Sequence, residues 1–144
     1  MLTIFLPILF QVGLTIAVAS FIPGRRARDM RMDRNVAREG ALNPAVFAED
    51  SRKVANNYDN QFQTPVLFYV GGILALLFGA TGTITGVFMW GFVASRIVHT
   101  TIHCTTNHVP SRFIAFAFGL VMLIGLWLVV TLAASTNPPI LTAR

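Results

Sequence analysis

The chain has 144 residues, 54% hydrophobic and only 12% charged, with a formal net charge of +5 and a mean hydropathy of +0.64. That is about half the charge density of an ordinary soluble domain. The length allows one domain at most, and the single cysteine, Cys104, excludes an internal disulfide framework. The basic excess is not interleaved with stacking aromatics, so no nucleic-acid surface is expected. Four apolar runs take up more than half the chain. They predict a single all-α domain over residues 1–144, an integral membrane four-helix bundle.

The first helix is expected over about 2–22, uncharged and long enough to cross roughly 30 Å of hydrocarbon. Ala17-Val18-Ala19 resembles a signal-peptide cleavage site, but no positive segment precedes the run, so it reads as a transmembrane helix. A hydrophilic loop over 23–43 follows. The stretch from Pro23 to Lys53 holds Arg25, Arg26, Arg28, Arg31, Arg34, Arg38, Arg52 and Lys53. Asn43-Pro44 reads as an N-cap with proline at the first helical position, starting a second helix over about 44–80 that Pro65 kinks. Short turns around Gly82 and at Asn107 to Pro110 bound a third helix over 84–106. A fourth follows over 112–135, with Ser111 as its N-cap. Gly71, Gly72, Gly79, Gly82 and Gly86 are expected to allow close helix contacts.

Eight of the eleven lysines and arginines lie in the first polar stretch, and Arg112 flanks the third loop. Lysine and arginine are retained on the cytoplasmic side. This predicts a multi-pass protein with the first and third loops cytoplasmic and both termini outside, in what reads as a bacterial inner membrane.

The informative residues are polar groups inside apolar helices. Arg96, His99, His103 and Asn107 lie at i, i+3, i+7 and i+11, within one helical stripe about 80° wide. Arg96 sits roughly 18 Å below the turn at His108, where an unpaired charge costs several kcal/mol. On the second helix Asn56, Asn60 and Gln63 share a face, with Asp59 close to it. The two stripes describe a polar pocket on the cytoplasmic half of the bundle. The plainer alternative makes these residues interhelical glue, worth around 0.6 to 2 kcal/mol each. His99 and His103 have the i, i+4 spacing of a metal pair, but no third ligand falls on their face, so no metal is assigned. Cys104 reads as packing, since no base and orienter stand near it.

The run Asn57-Tyr58-Asp59-Asn60-Gln61-Phe62-Gln63-Thr64-Pro65-Val66-Leu67-Phe68, followed by Arg96-Ile97-Val98-His99 and Arg112, resembles the MAPEG family, the membrane-associated proteins of eicosanoid and glutathione metabolism. The resemblance covers nearly the whole chain. It implies a homotrimer of four-helix protomers with glutathione, as co-substrate, held between neighbours. By motif position Asn60, Gln63, Arg96, His99 and His103 would bind the peptide, Arg26 is a looser match to a further arginine, and Arg112 would face the thiol as the catalytic residue. The implied activity is a glutathione transferase or peroxidase acting on lipophilic electrophiles. Gln63 stands where the family usually has glutamate, His103 where tyrosine is common, and Phe113 where some members have serine. These departures motivate the alternative of a catalytically silent, lipid-binding or accessory membrane subunit.

Overall fold

A computed structural model describes residues 1–139, so the last five residues of the expected 1–144 domain lie outside the described residues. The described residues form six α-helices and a 3-10 turn, with no strand. The helices are α1 (Leu2–Met32), α2 (Arg34–Glu39), α3 (Glu49–Asn60), α4 (Thr64–Leu77), α5 (Thr83–Cys104) and α6 (Val109–Thr136), and the turn is Pro44–Val46. Two of them, α1 and α6, are long and apolar enough to cross a membrane.

The expected first helix does not stop at Ile22. It runs on through Pro23 to Met32, so most of the expected 23–43 loop is helical, in α1 and α2. Hydropathy marks where the apolar run ends, whereas the hydrogen-bonded ladder continues as long as helix formers follow. Arg, Ala and Met supply them here. The helix closes at Asp33, which turns to extended backbone and accepts a hydrogen bond from the Asn35 amide at 2.8 Å.

The expected single helix over 44–80 is also divided. Asn43 caps only the short turn Pro44–Val46, and α3 starts at Glu49. Its first turn is tied to α1 by Asp29. One carboxylate oxygen of this buried residue accepts from the Ala48 amide at 3.1 Å and from the Ser51 hydroxyl. The second break falls at Gln61–Gln63. Pro65, near the start of α4, lacks the N–H that a continuous helix would need and its ring would clash with the carbonyl of Gln61. The result is a clean interruption rather than a kink.

Helices α1, α4, α5 and α6 share the apolar core, which includes Ile4, Phe68, Met89, Phe92, Leu123 and Leu126. The Phe68 and Phe92 rings stack at 4.7 Å between centroids and 11° between planes. A side chain on Gly72 would stand 2.9 Å from both Ile8 of α1 and Met89 of α5, and one on Gly86 would meet Thr3. Gly79 and Gly82 do not share this role. Gly79 takes a φ of +71° in the α4–α5 turn, Gly82 precedes α5, and both face open space. Outside the core, Phe5, Phe10 and Ile16 on α1 and Ile114, Val121, Leu128 and Leu132 on α6 are exposed. The bundle is therefore apolar outward as well as inward, as a lipid-facing surface requires.

Candidate functional site

The polar stripe of α5 is turned inward: Arg96, His99, Thr100 and His103 are all buried. Asp59, the nearest candidate counter-charge by sequence, is exposed, and among the described residues it forms no ion pair with Arg96. The guanidinium instead donates from Nη2 to the main-chain carbonyl of Asn60 at 3.1 Å. That carbonyl is free because α3 ends there. In an unbroken helix it would accept from residue 64, so the proline break supplies the partner of the buried arginine. The Nε of Arg96 is buried with no hydrogen-bond partner.

His99 faces the start of α6. Its Nδ1 lies 3.1 Å from the main-chain carbonyl of Arg112. A carbonyl can only accept, so Nδ1 carries the proton and Nε2 is left bare. This Nε2 is buried and unpartnered. The Arg112 side chain is fixed in turn by Asn107, whose Oδ1 accepts from Nη1 at 2.6 Å. Asn107 has a φ of 52° and its amide bonds the Ile102 carbonyl at 2.7 Å, closing α5. The expected cap Ser111 lies inside α6 instead. The helix begins at Val109, and the Ser111 hydroxyl pairs with His108 at 2.8 Å.

A cavity of about 260 Å³ lies where these groups meet, lined by Asn60, His99, Arg112, Val109, Phe113 and Phe116. It combines a cation, an amide and an imidazole with an apolar wall. The first turns of α6 add the positive end of a helix dipole, worth about 0.3–1 kcal/mol toward an anion. A separate apolar groove of about 350 Å³, which shares no lining residue with this cavity, runs between α5 and α6 along Ala94, Val98, Ile114 and Phe118.

Of the residues singled out from sequence, the structure brings Asn60, Arg96, His99, His103 and Arg112 together. Two stand apart within the single chain. Gln63 is exposed at the α3–α4 break and does not line the cavity, because the break turns it off the face that Asn60 occupies. Arg26 lies over the Phe47 ring at 4.9 Å and lines a separate cleft of about 180 Å³ with Arg52 and Asn56. The pairing of Arg26 with Phe47 follows from the helical continuation of α1, which the apolar pattern did not signal.

Sequence reasoning missed a buried amide cluster behind the stripe. Gln11 Nε2 donates to Gln61 Oε1 at 3.0 Å, and Gln61 Nε2 donates to Asn57 Oδ1 and Thr100 Oγ1, both at 3.1 Å. Asn57 and Asn60 then donate from their Nδ2 atoms to His103 Nδ1 at 3.3 and 3.4 Å. One signal was available: Gln11 is the lone amide in an apolar span, and such a residue needs a partner on another helix.

A helical bundle with apolar outer faces around a buried cationic and amide cluster defines a membrane protein. The model of the MAPEG family matches residues 4–132, from the first turn of α1 to the last turns of α6. The chain belongs to the MAPEG family. No curated protein and no solved structure matches it.

Proposed function

We propose that this protein is a glutathione-dependent transferase or peroxidase acting on lipophilic electrophiles. The observation that carries the reading is the cavity of Asn60, His99 and Arg112, backed by a buried Arg96 that has no carboxylate partner among the described residues. Glutathione brings two carboxylates, one ammonium and a thiol. Arginines and amides bind such a peptide through charge-assisted hydrogen bonds, and Arg96 behind the cavity keeps a buried Nε donor without a partner.

Arg112 holds its guanidinium beside the thiol and favours the thiolate, which is the nucleophile. The thiolate sulfur forms a new bond to the electrophilic centre of the second substrate, whose leaving group departs with the electron pair. The apolar wall of the cavity, where Val109 and Phe113 are exposed on the outer face of α6, lets that substrate enter from the bilayer. Gathering both reactants there removes the entropic cost of bringing them together from two phases.

In this reading the active form is a homotrimer, and Gln63 and Arg26 of one protomer reach glutathione held by a neighbour. The protein is multi-pass in a bacterial inner membrane, with the basic segment around Arg25 to Lys53 and the α5–α6 turn cytoplasmic and both termini outside. Calorimetry of glutathione with the detergent-purified protein tests the assignment. Saturable binding is expected in the wild type and lost in Arg96→Ala. Turnover of a lipophilic electrophile should collapse in Arg112→Ala with the oligomer intact, and unchanged turnover would sink the proposal.

A second reading rests on the exposure of Gln63. Without an acidic group for the ammonium of the peptide, the protein would be a silent accessory or lipid-binding subunit. It predicts a well-folded wild type with no glutathione isotherm.

A further inference from the structure

Gln11 is fully buried in α1, two helices away from the cavity, and is the only amide between Leu2 and Ile22. Its hydrogen bonds form a directed chain. Gln11 donates to Gln61, Gln61 donates to Asn57, and Asn57 donates to His103 Nδ1, with Asn60 adding a second donor to the same nitrogen. An amide nitrogen cannot accept, so in this direction Nδ1 of His103 is bare and its ring proton sits on Nε2.

The chain could also run backwards, with every amide turned over and His103 donating from Nδ1 to Asn57. The end at Gln11 distinguishes the two. In the observed direction Gln11 Oε1 has no partner, and one of the two hydrogens of Gln11 Nε2 is left over after its bond to Gln61. In reverse, Gln11 Oε1 would be satisfied but both hydrogens of its Nε2 would be stranded in the apolar face of α1. Reversal therefore exchanges an orphaned acceptor for a second orphaned N–H, and buried acceptors go unpaired more readily than buried donors.

We propose that Gln11 is a positioning residue. Through Gln61 and Asn57 it holds His103 in the tautomer bearing its proton on Nε2, so that His103 offers a donor to an anionic ligand. The ligand in this statement rests on the glutathione reading; the tautomer does not. Because Gln11 touches nothing in the cavity, its effect passes entirely through the direction of the amides.

The test is the ring ¹⁵N spectrum of histidine-labelled protein in detergent at neutral pH, with His103 assigned from the spectrum of His103→Gln. The wild type is expected to show one tautomer, protonated at Nε2. Gln61→Glu replaces the central amide by a group that only accepts. Asn57 then turns its Nδ2 toward residue 61 and its oxygen toward His103, which must carry the proton on Nδ1. Gln11→Met, close in volume and free of charge, keeps the fold if the glutamate does not, and should give a mixture of the two tautomers.

A wild type protonated at Nδ1, or a single Nε2–H tautomer surviving in Gln11→Met, overturns the relay. Glutathione titrations of the same samples separate the two ideas. A tautomer that shifts while binding weakens several-fold supports both. A tautomer that shifts where the wild type binds no glutathione upholds the relay and refutes the glutathione reading. Binding that persists with the tautomer unmoved by Gln11→Met refutes the relay alone.

Discussion

His99 and His103, one turn apart on α5 with their rings edge to face at 5.8 Å, carry their protons on opposite nitrogens. His99 donates from Nδ1 to the carbonyl of Arg112, whereas His103 accepts at Nδ1 from Asn57 and Asn60. One stripe therefore presents a bare Nε2 from one ring and an Nε2–H from the other. Side chains of identical type acquire different chemistry from the elements packed against them, α6 in one case and α3 in the other.

Arg96 is buried without a carboxylate, so its presence is a cost to the fold that binding is expected to offset. Arg96→Met keeps most of the volume and removes the charge. Removing a buried charge that lacks a counter-charge removes its desolvation cost, so the replacement is expected to be neutral or stabilising. Thermal unfolding in detergent should show an equal or higher midpoint, while calorimetry shows no glutathione binding. A clearly lower midpoint with binding retained would contradict this account of the arginine.

Asn107 has two duties that substitution can separate. Its left-handed backbone suits glycine, and its side chain fixes Arg112. Asn107→Gly should leave stability within about 1 kcal/mol, because the conformation is preserved. It should nevertheless lower turnover by releasing the guanidinium. Asn107→Ala should lose both, the strained backbone costing about 1–2 kcal/mol of stability, read as a lower unfolding midpoint.

Asp29 joins α1 to the first turn of α3 through Ala48 and Ser51. Asp29→Ala leaves that amide and that hydroxyl without an acceptor, and should cost about 1–3 kcal/mol. Asp29→Asn retains one acceptor oxygen and should lose less. Limited proteolysis between Arg34 and Val46 reports the loss directly, since α2 and the 3-10 turn depend on this tie.

Two glycines predict opposite signs. Alanine at Gly125 would press on the Phe88 ring and should destabilise by about 1–3 kcal/mol as the α5–α6 contact opens. Alanine at Gly13, where nothing stands within 4 Å, should stabilise α1 by about 0.5–1 kcal/mol. Unfolding of the two variants side by side checks the pair, and equal effects would contradict the packing described for these helices.

The sequence by itself determined the apolar runs and the stripe of Arg96, His99 and His103, because both depend only on local composition and on 3.6 residues per turn. It also marked Pro65 as a disturbance in the second run. Everything that required a neighbour across the bundle waited for the tertiary structure. The carbonyl that receives Arg96, the separation of Gln63 and Arg26 from the cavity, and the path from Gln11 to His103 all depend on which helix faces which, and at what height. A hydrogen-bonding group declares in sequence that it needs a partner. Only packing decides which partner it meets, and so which way the protons point.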